Sequence, residues 1–129
     1  MLLKHNRLTG LESLNVGHLE SLTTLCVSHN QITALPDALC ELPGLTSLDA
    51  QVNDLTFSGA DGIWLCLKLK VLNLYGNKLE LLSEGVGDLL VLEQLMVGWN
   101  GLMRIPDSVV NLKKLQVCGH NRAHAAPQR

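Results

Sequence analysis

Aromatic side chains are nearly missing from this sequence: two Trp, one Tyr and one Phe, or 3%, in a 129-residue chain that is 47% hydrophobic. A core with so few rings must be assembled from one aliphatic side chain used repeatedly. An excess of one charge is missing too. The net charge of −2 and pI near 6.2 remove the electrostatic basis for holding nucleic acid or an anionic membrane, which needs clustered Lys and Arg. The one local cluster, Lys68, Lys70 and the Lys113-Lys114 pair, reads as a solvated face.

No run approaches the ~18 apolar residues of a membrane span. The start, MLLKHNRL, is too short in its apolar stretch and too early in its charge for a secretory signal. A cytosolic or nuclear location follows, with the cytoplasm as default. Cys26, Cys40, Cys66 and Cys118 show neither close paired spacing nor a framework, so reduced thiols in a reducing compartment are expected. Catalytic signatures are absent as well: the sequence has no G-x-S-x-G, G-x-x-x-x-G-K-[ST] or H-E-x-x-H, and no Cys pair at zinc-ligand spacing. Neither enzymatic activity nor a cofactor is expected.

What is present is leucine, 29 residues or more than a fifth of the chain, and it recurs with a period. In register the chain reads LTTLCVSHNQITALPDALCELPG (22–44), LTSLDAQVNDLTFSGADGIWLCLK (45–68), LKVLNLYGNKLELLSEGVGDLLV (69–91) and LEQLMVGWNGLMRIPDSVVNLKK (92–114). Each head fits L-x-x-L-x-L-x-x-N-x-L. Leu22, Leu45, Leu69, Leu92 and Leu115 hold the first place, Leu25, Leu48, Leu72 and Leu95 the fourth, and Asn30, Asn53, Asn77 and Asn100 the ninth. Residues 1–21 are the remainder of an earlier unit, with Asn6 in its ninth place.

This pattern resembles the leucine-rich repeat family, over residues 1 to about 115. The 23-residue period and the Leu35-Pro36 and Ile105-Pro106 steps are similar to the intracellular kind found in Ras-suppressor-like and plant Ras-group repeat proteins. The resemblance implies an α/β solenoid with a short parallel β-sheet on its concave face and loops or short 3-10 or helical turns on its convex face. The L-x-L step carries the period-2 alternation of a short strand. The recurring Asn stands where that strand must turn, and its amide can satisfy backbone groups that lack a ladder partner. One unit holds its leucines on a single ridge and cannot close a core, so stability has to come from stacking between units.

On such a fold the outward strand positions form the surface that the family uses to bind proteins. Tyr75, Met96 and Trp99 fall on adjacent strands as an exposed aromatic and thioether patch of the type enriched at binding hot spots, with Asp49 and Asn73 beside it for polar orientation. Gln51 and Gln94 extend this surface, as do Cys26, Ser28 and His29 in the preceding unit. Cys26, His29 and Asp49 include the residue types of a nucleophilic triad, but an open sheet neither excludes water nor builds an oxyanion hole. His5 and His29 share the eighth place of neighbouring units, within metal-bridging distance, yet two imidazoles without a third ligand make a poor site.

One unit is irregular. Ser58 occupies an apolar place and GADG follows, so Phe57 is expected to turn inward, leaving Trp64 partly exposed on the convex side. At the end of the chain Cys118 takes a fourth place but His120 a sixth, where a core aliphatic is required. Burying His120 unpaired would cost ~1–3 kcal/mol. The repeat domain is therefore expected over 1–118, with a disordered tail over 119–129 and no metal site at Cys118, His120 and His124.

Two functional readings follow. The first is a non-catalytic protein-interaction module, for which the resemblance implies a small GTPase or a signalling scaffold as partner. The second is a structural fragment of a larger repeat protein such as a receptor, ligase or kinase regulator. It is motivated by ends that lack a polar cover and by the association through open repeat ends that this implies.

Overall fold

The computed structural model describes residues 1–12, 15 and 18–119, the last three by backbone alone. Each strand is only three residues long, because only the third to fifth places of a unit alternate around a buried leucine. The strands are β1 (Thr24–Cys26), β2 (Ser47–Asp49), β3 (Val71–Asn73), β4 (Gln94–Met96) and β5 (Val117–Gly119). They pair in parallel and in sequence order, and the register sets equivalent places side by side: Leu25 opposite Leu48, Leu48 opposite Leu72, Leu72 opposite Leu95. A bridge from Leu2 to Cys26 adds the partial first unit to this sheet. The chain is thus the solenoid that the periodicity implies.

Behind the sheet the central leucines Leu25, Leu48, Leu72 and Leu95 are fully buried, and Val27, Ala50, Leu74 and Val97 lie beneath them. Full burial of each leucine contributes about 1.5–3 kcal/mol, which it gains only by touching its counterparts in adjacent units.

The ninth-place asparagines tie the units together. Asn53 donates through Nδ2 to the carbonyl of Val27 in the preceding unit (3.0 Å) and to those of Ala50 (3.1 Å) and Gln51 in its own. Its Oδ1 accepts the backbone N–H of Ile32 at 3.0 Å. Asn30, Asn77 and Asn100 repeat the same bonds one unit away. All four are buried, and their full complement of partners is what makes burial of an amide tolerable.

The residue before each asparagine adopts a left-handed backbone, with φ of 59° at His5, 57° at His29, 53° at Val52, 69° at Gly76 and 50° at Trp99. The backbone N–H of each of the first four donates to the seventh-place carbonyl of the next unit: His5 to Ser28, His29 to Gln51, Val52 to Tyr75 and Gly76 to Gly98, at 2.7–3.1 Å. These bonds hold in place a conformation that costs any residue other than glycine free energy. Among the described residues, four 3-10 turns on the convex side, Asp37–Glu41, Asp61–Leu65, Glu84–Asp88 and Asp107–Asn111, reverse the chain. Pro36 and Pro106 introduce two of them in extended conformation, and Ser83 caps a third by accepting the N–H of Gly85.

Three expectations meet a different outcome. In the irregular unit the aromatic roles are reversed: Trp64 is 5% exposed and Phe57 is 42% exposed. The reason is steric. Gly59 lies so close to the Thr33 carbonyl that a Cβ would collide with it, which draws Ala60 into the core and leaves Phe57 outside. Trp64 instead lies under the next unit, where a Cβ on Gly85 would come within 2.9 Å of it.

The second correction concerns cysteine. Cys40 and Cys66 form a disulfide, although reduced thiols are expected from the sequence. Their separation of 26 residues shows no close pairing along the chain, but one turn of the solenoid brings their Cα atoms within 4.4 Å. Third, β5 extends through Gly119, which the sequence places in the tail. Residues 120–129, with His120 and His124, lie outside the described residues, as does the side chain of Cys118.

Candidate binding groove

The outward strand positions divide into a closed end and an open end. At the closed end Cys26 and Ser28 are buried, contrary to their expected role as contact residues. The partial first unit covers this strand: Leu2 bridges to Cys26, the Met1 carbonyl accepts the Cys26 N–H, and the Cys26 thiol turns sideways onto the Ser28 hydroxyl at 3.3 Å. Cys26 also points its Sγ at Asp49 Oδ2, at 3.8 Å. His29 takes no part in that contact. Its ring stacks on His5 with centroids 4.5 Å apart and planes 19° from parallel, so the three triad residue types are not assembled. Among the described residues no group of three or more His, Cys, Asp or Glu is placed to hold a metal ion.

In the middle of the sheet Asp49 and Asn73 stand side by side. Each accepts the backbone N–H of the seventh-place residue in its own unit at 3.1 Å, Gln51 for Asp49 and Tyr75 for Asn73. Asp49 also receives the Gln51 side-chain amide, at 3.1 Å. These fifth-place side chains therefore fix the exit of the strand, and through it the direction in which Tyr75 points. Gln94 and Met96 are half-buried on β4.

At the open end the left-handed column becomes informative. Its successive members are His5, His29, Val52, Gly76 and Trp99, so the glycine leaves a gap one side chain wide between Val52 and Trp99. A groove of roughly 580 Å³ occupies this gap, walled by Val52, Tyr75 and Trp99, with Asp54 and Lys78 at its rim. Trp99 remains 44% exposed, a large apolar area for a side chain at the surface. Asp54 and Lys78 pair at 3.1 Å, and at their exposure this contact contributes less than about 1 kcal/mol. The aromatic pair expected from the sequence is thus brought together, while Met96 lies on the sheet beside the groove and not in its wall. Val52, Asp54 and Lys78 carry no signal in the sequence alone. They become visible only when the eighth places are read as one column.

A stack of short parallel strands, convex 3-10 turns and a buried asparagine ladder defines a leucine-rich repeat solenoid, and the chain belongs to the leucine rich repeat family. Models of that family match residues 1–55 and 68–89. The mouse (Mus musculus) leucine-rich repeat-containing protein 58 is 43% identical over 82 residues, which cover 60% of this chain. The chain spans about a fifth (22%) of that relative's length. Among solved structures, the ectodomain of the receptor kinase SOBIR1 from Arabidopsis thaliana superposes with a TM-score of 0.75 at 25% identity, over 100% of this chain and 73% of that one. The ectodomain of GASSHO1/SCHENGEN3, also from Arabidopsis thaliana and solved in complex with CASPARIAN STRIP INTEGRITY FACTOR 2, gives 0.78 at 26%, over 95% of this chain and 15% of that one. The Listeria monocytogenes internalin inlF matches at 0.72 and 23% identity, over 87% and 32%, and speaks for the fold alone.

Proposed function

We propose that this chain is a non-catalytic protein-interaction module whose partner lies along the concave sheet and inserts a side chain into the gap above Gly76, between Val52 and Trp99 and beside Tyr75. The observation that carries this reading is the gap itself. A half-exposed Trp99 and Val52 flank the only glycine in the left-handed column, with Tyr75 in the same wall, which leaves an open groove that a partner's anchor side chain can enter. Asp49, Gln51, Asn73 and Gln94 supply polar contacts along the approach, and His29 lies at its far end. A five-strand sheet of three-residue strands suits a patch of about 800 Å² per partner. The likeness to Ras-suppressor-like and plant Ras-group repeats makes a small GTPase or signalling scaffold the partner class, and solved relatives such as GASSHO1/SCHENGEN3, held with CASPARIAN STRIP INTEGRITY FACTOR 2, support a protein or peptide ligand in general.

The test is a pull-down with the Tyr75→Ala, Trp99→Ala double variant. Loss of bound partner in a protein with an unchanged circular dichroism spectrum is the expected result, and wild-type retention of every partner rejects the groove. The compartment can be settled in the same material. Disulfides persist in oxidising environments and are rare in the cytosol. Alkylation of intact cells followed by mass measurement therefore separates a cytoplasmic chain, with Cys40 and Cys66 free, from one exposed to oxidising conditions.

A further inference from the structure

Opposite the groove, where the chain enters each strand, four of the ten basic residues gather: Lys68, Lys70, Lys113 and Lys114. None of them has a carboxylate within salt-bridge distance, the single ion pair among the described residues being Lys78 with Asp54. Lys68 donates to the Pro43 carbonyl at 2.9 Å, which holds its ammonium on this edge and leaves its charge unneutralised. Between the lysines runs an apolar ledge. Leu67 is 57% and Leu90 59% exposed, although neither place requires leucine for the core. A recess of roughly 350 Å³ opens here, lined by Leu67 and Val91 on its apolar side and by Lys68, Lys70, Lys114 and Glu93.

We infer that this edge is a second docking surface, independent of the groove, which takes an extended acidic and apolar segment of a partner protein. The spacing defines the segment. Lys68 directly precedes Leu69 and Lys114 directly precedes Leu115, the first places of units two apart, so the two stand two strand steps from one another, about 9–10 Å. An extended chain rises about 3.3 Å per residue, so carboxylates three residues apart reach both lysines. Val91 holds the same place in the unit between them, and Glu93, which also lines the recess, repels a carboxylate there, so the intervening residues are apolar and lie on Leu67 and Val91. The pattern is acid, apolar, apolar, acid.

An anionic membrane fits less well. Polybasic membrane contacts use clusters of about 4–8 lysines or arginines on an open face, whereas here three lysines share the lining of a recess with a carboxylate.

The experiment is fluorescence anisotropy with the full chain and a labelled synthetic peptide, Gly-Ser-Glu-Leu-Leu-Glu-Ser-Gly, against the same peptide with both Glu replaced by Gln. Saturable binding of the acidic peptide is expected, weakened about tenfold or more by the Lys68→Glu, Lys114→Glu double variant and strengthened by Glu93→Gln. It should be unchanged in the Tyr75→Ala, Trp99→Ala variant, so failure of the groove and failure of this edge are read separately. Equal binding of the Gln peptide, no saturable binding, or binding indifferent to the charge reversal overturns the inference. So does co-sedimentation with phosphatidylserine vesicles in the absence of peptide binding, which would identify the edge as a lipid contact.

Discussion

The units 45–68 and 69–91 are neighbours built on one frame, and their backbones part only on the convex side. On the concave side they are equivalent: β2 and β3 pair in register, and Asn53 and Asn77 make the same four kinds of bond to their own and the preceding unit. On the convex side they share little beyond a 3-10 turn. Unit 69–91 fills its apolar place with buried Leu82 and caps its turn with Ser83. Unit 45–68 puts exposed Ser58 there, folds Thr56–Gly59 into a local turn, brings in Ala60, buries Trp64 and is bonded to its neighbour through Cys66. The strand and asparagine half of a unit is constrained by its neighbours on both sides, because the strand ladder, the left-handed column and the asparagines bond it to adjacent units. The convex half has only to supply volume, and different residues can do that.

The asparagines give the largest test of this comparison. Asn53→Ala and Asn77→Ala each remove a buried amide that serves several backbone groups, and those groups are left without water or a partner. Each substitution is expected to cost about 3–4 kcal/mol. Chemical denaturation should return the same value for both to within about 1 kcal/mol, since the bonds are the same. A loss at Asn53 less than half that at Asn77 would show that the irregular convex side loosens the frame it is built on.

The disulfide is expected to have a smaller effect, confined to one unit boundary. Cys40 and Cys66 close a loop of 26 residues, and in the chain-entropy description that cross-link contributes about 3 kcal/mol. Cys40→Ala, at a half-buried site, should lower the melting temperature of the oxidised protein and leave the reduced protein nearly unchanged. If both forms melt alike with and without the substitution, the convex side owes its order to packing alone.

These differences explain what could be read from the sequence. The strands and the asparagine ladder are legible because they depend on identical residues at fixed spacing, and Leu25, Leu48, Leu72 and Leu95 with Asn30, Asn53, Asn77 and Asn100 state the rule four times over. Tyr75 and Trp99 could be placed on one face by the same counting. The convex side could not be read, because its contacts lie between units at places where no residue type repeats. Trp64 is buried by virtue of Gly85, in the next unit, and Phe57 is left outside by the approach of Gly59 to Thr33. Cys40 meets Cys66 only after one turn of the solenoid. Cys26 and Ser28 escape the count for a related reason: they hold outward places, but the first unit closes over them. The groove was half legible, since its aromatic walls follow the count, whereas the gap between them is a property of the left-handed column.

That column allows the finest comparison between the two units, because Val52 and Gly76 hold the same place with φ of 53° and 69°. A β-branched residue is poorly suited to this backbone, and glycine adopts it freely. Val52→Asn should therefore stabilise the protein by about 0.5–1 kcal/mol, asparagine being the side chain that best tolerates the left-handed region. Gly76→Ala should do the reverse, costing about 1 kcal/mol, since its Cβ would both strain the backbone and come within 3.3 Å of Val52 Cγ2. The two shifts have opposite signs at equivalent places, so thermal melts of the pair separate a backbone effect from a general sensitivity of this edge. The alanine at position 76 also projects into the groove between Val52 and Trp99. A partner held there should lose affinity by more than the small change in stability accounts for, whereas a partner held elsewhere on the sheet should lose none.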